Sequence, residues 1–340
     1  MQNHKTDKTN LDYRTQTPVL FITFARPEYA LLSFEGIRKA KPASLYFYSN
    51  LARTDHPQEV QNNQAVRDLV RSIDWECELH TFFRTEHVDI YTSLLSAIDW
   101  VFANEEKAIV IEEDCVASVS FFRFCDEMLS RYTSEKRAWI ISGDNFTPLI
   151  QNNTPDSDYY FSRYPHIYGW ASWRDRWNLL DRDMLSWHST KGGNVFKDYF
   201  LSNKEAVFWE KLFARHHESI STRKVWDFLF VYSRIVHKAW GIVPRQNLVS
   251  NIGVSGTHNA KKKAVPTHNL PAYELDWAKG LAHPASIQPN DVYDNHHYLL
   301  HILPKIKRLQ RTTPKGFIRK MVGYKTVDFI KTILMKVKQK

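Results

Sequence analysis

Apolar residues in the first half of the chain follow two alternating patterns. Short β-rich apolar runs, typical of buried parallel strands, alternate with segments in which apolar residues recur at helical spacing. The runs predict strands at residues 19–24, 44–49, 77–83, 108–111 and 138–142. The spacing predicts a helix that begins at Pro27 and others at residues 58–71, 91–102 and 121–129. This alternation predicts an α/β fold with a mostly parallel sheet and helices on both faces.

The rest of the chain lacks this alternation. The first residues are polar, the part after the fifth strand is rich in aromatic side chains, and a later stretch carries Pro, His and Asn without periodicity. We therefore predict four regions. They are a loose polar arm (1–16), one domain in two halves (17–145 and 146–260), an extended segment (261–300) and a basic helical appendage (301–340).

Positive charge is concentrated at the end of the chain. The formal net charge is +9, yet residues 301–340 carry twelve Lys or Arg and one Asp, so the other 300 residues sum to −2. A nucleic-acid enzyme more often has a basic body, so we expect no nucleic-acid partner. The three cysteines lack C-x-x-C spacing, and neither a signal-peptide core nor a membrane span is visible. We expect a cytoplasmic protein with reduced thiols.

Three adjacent carboxylates, Glu112, Glu113 and Asp114, directly follow the strand predicted at residues 108–111. Carboxylates this close repel one another and resist burial, and a divalent cation would relieve that repulsion. Oxygen ligands without Cys or His favour Mg²⁺ or Mn²⁺, and such an ion could in turn hold a diphosphate. The alternative is a solvated acidic turn, whose charge suits the first turn of the next helix.

Arg26 and Asn50 also come just after predicted strands. Ligands of parallel sheets gather outside the carboxyl ends of the strands, so these two residues and the acidic triplet are candidates to line one crevice. The first strand is not followed by G-x-G-x-x-G, and the chain contains no G-x-x-x-x-G-K-[ST]. This weakens the case for a dinucleotide oxidoreductase or a P-loop enzyme. A metal held by carboxylates would be another way to bind phosphate.

Five segments, in order over about residues 18–258, together resemble the GT-A glycosyltransferases, most specifically the N-acetylglucosaminyltransferase I group. They are a first strand with a nucleotide loop (19–29), a strand with an acidic motif and helix (108–129), a Gly-Trp segment (160–177), the pair Trp226-Asp227 and a closing loop (244–258). The chain also resembles bacterial nucleotide-diphospho-sugar transferases of surface-polysaccharide clusters, some of which carry a hemolytic-protein label.

The resemblance implies a GT-A fold whose residues 17–145 bind a nucleotide sugar and whose residues 146–260 face the acceptor. It implies a metal-dependent, inverting transfer of a hexosyl or N-acetylhexosaminyl unit to a hydroxyl of a surface polysaccharide or lipid-linked glycan. A GT-A domain that binds sugar nucleotide or glycan without catalysis, within an assembly complex, is the alternative.

The resemblance assigns donor-side roles residue by residue. Asp114 matches the ligand of Mn²⁺ or Mg²⁺, Glu113 a ribose contact and Glu112 a contact near the donor sugar. Arg26 matches the basic residue of the nucleotide loop, and Asn50 a carboxylate that recognises the base. The chain departs from the family at two of these positions. Glu113 stands where Asp is usual, which lengthens the side chain by one methylene, and Asn50 replaces a carboxylate, so uracil is not secured as the base.

Asp227 matches the catalytic base, which would take the proton of the acceptor hydroxyl as the nucleoside diphosphate leaves from the opposite face. The alternative for Asp227 is an acid that caps or begins a helix. Trp170 and Trp173 are the acceptor-side candidates, because an indole ring can stack on a sugar, and a core position is their alternative. His258 belongs to the loop that folds over bound donor in the family.

The basic end of the chain carries its own prediction. An apolar stripe at helical spacing, surrounded by lysines, comprises Phe329, Ile330, Ile333, Leu334 and Val337. A basic amphipathic helix can lie on an anionic membrane surface. We therefore predict peripheral attachment through residues 301–340 to the inner face of the cell membrane, where a lipid-linked acceptor would be found. The alternative is a solvated basic end that packs on the body.

Overall fold

The computed structural model describes residues 13–147, 157–222, 224–253 and 267–312. The strands are β1 (Val19–Thr23), β2 (Ser44–Ser49), β3 (Glu78–Phe83), β4 (Lys107–Glu112), β5 (Cys115–Ala117), β6 (Ala138–Ser142), β7 (Tyr159–Ser162), β8 (Trp170–Trp173), β9 (Trp240–Pro244) and β10 (Val249–Asn251). The helices are α1 (Pro27–Ala40), α2 (Pro57–Arg67), α3 (Ile90–Asn104), α4 (Val119–Arg131), α5 (Arg174–Trp177), α6 (Trp187–Thr190), α7 (Val195–Tyr199), α8 (Asn203–Glu218), α9 (Trp226–Val236), α10 (Asp291–His297) and α11 (Leu303–Thr312). A 3₁₀ turn, Asp68–Ser72, extends α2, and a π-helical turn, Tyr298–Ile302, joins α10 to α11.

Eight strands form one sheet in the order β3-β2-β1-β4-β8-β6-β9-β7. Neighbouring strands from β3 to β4 are parallel, as are β6 and β9. β8 lies antiparallel between β4 and β6, and β7 is antiparallel to β9 at the edge. Six strands therefore run one way and two the other, which confirms the predicted mostly parallel α/β sheet. Because β7, β8 and β9 come from residues 146–260, both predicted halves build one sheet.

The sheet is buried on both faces by helices. Successive side chains of a strand point to opposite faces, and β1 shows this directly. Phe21 belongs to a core with residues of α1 and α4, whereas Leu20 belongs to a core with residues of α3 and α9. The apolar runs of the sequence are continuous for this reason. Helices on both faces, as predicted, are confirmed.

The predicted extended segment is extended only in part. Residues 291–300 are helical, contrary to the prediction, because polar contacts rather than an apolar stripe hold them. The Oδ1 atom of Asn290 accepts the N–H of Val292 at 3.1 Å and caps α10. The buried carboxylate of Asp294 pairs with Arg163 at 2.8 Å. Periodicity does not reveal anchors of this kind.

α11 is the part of the basic appendage that the structure describes. The apolar stripe from Phe329 to Val337 lies outside the described residues. None of the helices described here is long and apolar enough to cross a membrane.

Candidate active site

The acidic triplet lies at the carboxyl end of β4, beside the loop that follows β1. β1 and β4 are parallel neighbours, with Ile22 in register with Glu112. Arg26 comes immediately before α1, at the same edge of the sheet. Its Nε atom lies 2.6 Å from Glu113 Oε1, and its Nη1 atom lies 3.0 Å from Asp114 Oδ2. The predicted proximity of Arg26 to the triplet is therefore present in the structure.

Glu113 connects the triplet to the β1–α1 loop. Its side chain is 5% exposed, and its Oε2 atom accepts the backbone N–H of Phe24 at 2.8 Å. Both carboxylate oxygens are thus bound within the protein. Through its contacts with Phe24 and Arg26, Glu113 holds the β1–α1 loop beside the triplet. The ribose contact remains a prediction, and it would require the exchange of one of these bonds.

Asp114 lies between Arg26 and the segment that follows β10. The N–H of Ile252 donates to its backbone oxygen at 2.8 Å, because β10 pairs antiparallel with β5. At Gly253 an added Cβ atom would overlap the Oδ2 atom of Asp114. Any side chain at this position would therefore displace the Asp114 carboxylate. The sequence predicted a closing loop here, but His258 and its neighbours lie outside the described residues.

The charge of Asp227, at the start of α9, acts on Glu112 at the end of β4, so the two residues lie in one neighbourhood. Burial and the charges of Asp114 and Asp227 together raise the pKa of Glu112 to about 8, against the opposing charge of Arg26. Burial also raises the pKa of Asp227, while the N–H of Phe228, which donates to Asp227 Oδ1 at 2.9 Å, lowers it. Asp227 lies in the first turn of α9. The placement at the start of a helix, which was the alternative for Asp227, is thus present.

Asn50 lies at the expected sheet edge, but its amide is occupied. Its Nδ2 atom donates to the carbonyl of Val88 at 2.8 Å, and its Oδ1 atom accepts the N–H of Leu51 at 3.0 Å. The residue is 5% exposed. This amide holds two loops together. Recognition of a base by Asn50 remains a prediction, and it would have to compete with these bonds.

Trp170 and Trp173 lie on β8, in the middle of the sheet. They are 1% and 3% exposed. Trp170 stacks on Trp226 with ring centroids 5.9 Å apart, and Trp173 Nε1 donates to the carbonyl of Leu129 at 3.1 Å. Neither ring offers a face to a bound sugar in this structure. The acceptor-side role is corrected to a core role, because β8 inserts between two buried strands.

The structure adds Asp144 and His166 to the residues at this edge. Asp144 follows β6, is 1% exposed, and its Oδ2 atom lies 2.9 Å from His166 Nδ1. Burial raises the pKa of Asp144 and the imidazole of His166 opposes that shift. The sequence signal for Asp144 was available, since it follows an apolar strand as Arg26 and Asn50 do.

The donor set fits a hard divalent ion that binds chiefly to its substrate. The described part of the chain contains no group of three or more His, Cys, Asp or Glu side chains that could hold a metal by itself. Mg²⁺-type ions usually take one or two protein carboxylates, with the remaining positions filled by phosphates and water. Asp114 supplies one carboxylate, and Glu113 and Asp227 add carboxyl groups that Arg26 alone does not balance, while Glu112 retains its proton near neutral pH.

Comparisons with known proteins give similarity in fold only. No known protein family and no curated protein matches the sequence. The chain is similar to a mannosyltransferase from Pyrobaculum calidifontis solved with GDP-Man and Mn²⁺, at 12% identity over 66% of this chain and 71% of that one, with a TM-score of 0.35. It is also similar to a UDP-glucose pyrophosphorylase complexed with UDP-glucose, at 9% identity over 66% and 97% with a TM-score of 0.28.

A third similar structure is the apo-form glycosyltransferase GlyE of Streptococcus pneumoniae TIGR4, at 9% identity over 68% of this chain and 54% of that one, with a TM-score of 0.29. All three TM-scores lie below 0.5. The function proposed below is therefore argued from this chain's own residues.

Proposed function

We propose that the chain is a metal-dependent, inverting glycosyltransferase that moves a sugar from a nucleoside diphosphate to an acceptor hydroxyl. One observation carries the proposal: Asp227, from the second half of the domain, lies near enough to Glu112 for its charge to act there, at the carboxyl end of the sheet beside Asp114 and Arg26. Ligands of parallel sheets bind at this edge. A site with excess carboxylate and one arginine suits a diphosphate that arrives with a divalent cation.

In the proposed reaction Asp227 accepts the proton of the attacking hydroxyl. The acceptor oxygen forms a bond to the anomeric carbon, and the bond from that carbon to the diphosphate oxygen breaks with its electron pair leaving on the diphosphate. Attack from the opposite face inverts the configuration. Arg26 provides positive charge near the departing phosphates. A metal ion bound through Asp114 would supply further neutralisation of that charge.

The proposal names the transferred sugar and the acceptor by chemical class and does not specify the nucleobase. A hexosyl or N-acetylhexosaminyl unit and an acceptor in a surface polysaccharide or lipid-linked glycan follow from the family resemblance. Attachment of residues 301–340 to an anionic membrane surface belongs to the same proposal. A catalytically inactive binding domain would retain the donor site without needing Asp227.

The test is to measure nucleotide-sugar binding and turnover separately. Thermal shift with nucleotide sugars and Mn²⁺ identifies the donor, because selective binding stabilises the folded state. Donor hydrolysis or transfer is then compared in Asp114→Asn, Asp227→Asn and, as a control that also removes a first-turn carboxylate, Asp198→Asn. We expect Asp114→Asn to lose metal-dependent stabilisation and Asp227→Asn to lose turnover while retaining donor binding. Full turnover by a folded Asp227→Asn protein would contradict the assignment of the base.

A further inference from the structure

Three histidines from distant parts of the chain meet where the C-terminal helices pack on the body of the protein. His166 lies between β7 and β8, His297 is the last residue of α10, and His301 lies in the π-helical turn that follows. The ring centroids of His166 and His297 are 5.1 Å apart, and those of His297 and His301 are 4.7 Å apart. We call these three residues the histidine cluster. The contact between the C-terminal helices and the body therefore includes three imidazole rings.

Aromatic rings enclose the histidine cluster. His166 stacks on Phe146 with ring centroids 4.0 Å apart, and His297 stacks on Tyr164 at 4.5 Å with an interplanar angle of 14°. The Nε2 atom of His301 donates to the backbone oxygen of Phe146 at 3.3 Å. His297 is only 8% exposed. Burial of this kind favours the neutral imidazole over the imidazolium, because the charged form loses its hydration.

The buried carboxylates around the cluster already have partners, so none of them is held in reserve for a new positive charge. They are Asp144 with His166 Nδ1 at 2.9 Å, Asp294 with Arg163 at 2.8 Å, and Glu205, which accepts the hydroxyl of Tyr164 at 2.8 Å. The nearby cations Lys305 and His296 act on both His297 and His301. Protonation of these two histidines would therefore add charge to a site that already repels it.

The face by which the C-terminal helices pack on the body is small and partly polar. Among the residues from 291 onwards whose side chains the structure describes, the buried ones are Tyr293, Asp294, His297, Ile302 and Ile306. Val292, Leu299 and Leu300 are exposed. Segments with few buried apolar contacts open at a lower free energy than the core of a protein does. These helices can therefore separate from the body while the sheet remains folded.

We propose that the histidine cluster is a pH-sensitive switch that releases the C-terminal helices from the body at mildly acidic pH. Release would also remove Ile302 and Lys305 from the wall of the cavity that Asp227 lines. The solvent access of Asp227 would change with the position of these helices. The switch goes beyond the proposed transferase function and does not depend on it, since it concerns only how the helices pack.

The direction of the pH effect follows from the two states of the histidines. Burial and the neighbouring positive charges lower the pKa of His297 well below its ordinary 6.5, and burial also lowers the pKa of His301. In the released helices both rings would titrate near the ordinary value. The released state therefore binds protons that the packed state excludes, and packing weakens as pH falls through about 6.5. For one such histidine, the equilibrium constant for release rises about tenfold between pH 7.5 and 5.5.

Three acids near the cluster act in the opposite direction. Burial raises the pKa values of Asp144, Asp294 and Glu205, so the packed state retains protons on any of them that release would expose. Their contribution is common to the wild type and to a variant that lacks only one histidine. The difference between those two proteins therefore isolates the histidine.

The test is hydrogen exchange of the full chain, followed by mass spectrometry at pH 7.5 and 5.5 with labelling times scaled for intrinsic amide exchange. His297→Phe keeps a ring against Tyr164 but cannot be protonated. His80→Phe is the matched control, because His80 stacks on Tyr46 at 4.3 Å in β3. On acidification, we expect the release constant measured in α10 to rise about tenfold more in the wild type and His80→Phe than in His297→Phe. Protection of α4 should not change.

The switch is rejected if α10 keeps the same protection at both pH values, or if wild type and His297→Phe respond equally. It is also rejected if α4 loses protection together with α10, because the acid effect is then global unfolding. His301→Gln, at a half-buried position, provides a second variant should His297→Phe fail to fold. It should also reduce the response of α10, and an undiminished response would contradict the proposal.

Discussion

Arg26 balances part of the acidic site, and its removal should make the protein depend on a divalent cation. The guanidinium pairs with Glu113 and Asp114, whose side chains are 5% and 14% exposed, while Arg26 itself is 31% exposed. Removing one partner of a buried ion pair leaves an uncompensated charge and typically costs 3–5 kcal/mol, so the partly exposed Arg26→Met change should cost about 3 kcal/mol. This is a large fraction of the roughly 5–15 kcal/mol by which domains are stable.

A divalent ion should restore most of that loss. An ion at one hundred times its dissociation constant stabilises the folded state by about 2.7 kcal/mol. Urea unfolding in EDTA and in Mn²⁺ measures both terms. We expect Arg26→Met to be strongly destabilised in EDTA and to gain more stability from Mn²⁺ than the wild type does, because Asp114 no longer has a competing cation.

The control is Arg53→Met, which removes an arginine from a pair with Glu59 in which Arg53 is 39% exposed. Such a pair contributes at most about 1 kcal/mol, and its loss should not respond to Mn²⁺. The reasoning is refuted if Arg26→Met unfolds at the same urea concentration as the wild type in EDTA, or if Mn²⁺ stabilises both proteins equally.

Three further changes test other parts of the site. Gly253→Ala should displace the Asp114 carboxylate and weaken Mn²⁺ affinity about 10- to 100-fold with the fold retained, as thermal shift over a range of Mn²⁺ concentrations would reveal. Burial raises the pKa of Glu205 from 4.5 to about 7, so the folded state retains a proton that the unfolded state has lost, and the free energy of unfolding should fall by up to about 3 kcal/mol as pH rises through that window. Glu205→Gln should flatten this decline in urea unfolding measured between pH 5 and 8. Charge reversal at Lys331, Lys336 and Lys338 should abolish flotation with anionic liposomes, and unchanged flotation would remove the membrane prediction.

The residues at the carboxyl edge of the sheet could be predicted because each of them directly follows a strand in the sequence. Arg26 and the triplet each follow an apolar run, and parallel strands bring such positions together whatever their separation in the sequence. The 85 residues between Arg26 and Glu112 do not weaken that inference, since β1 and β4 are neighbours in the sheet. The acidic turn and its arginine were therefore accessible from pattern alone.

Other parts of the site depend on pairings that a single sequence does not contain. The insertion of β8 between β4 and β6 places Trp170 and Trp173 in the core, although the Gly-Trp pattern equally allowed a surface platform. The amide of Asn50 is bound by Val88, which belongs to a later loop. Asp227 lines a cavity whose wall also includes Lys305 of α11. Each of these contacts follows from tertiary packing rather than from periodicity or spacing.

The buried tryptophans still bear on the proposed chemistry, through the position of Asp227. Trp170 stacks on Trp226, which is 6% exposed and immediately precedes Asp227, and Trp177 packs against the same ring at 6.3 Å. The first turn of α9 is thereby fixed to the middle of the sheet. A catalytic group needs such support, since a displacement of about 1 Å can cost on the order of 100-fold in rate. In the proposed reaction the Gly-Trp segment would therefore hold the base in place and would not touch the sugar.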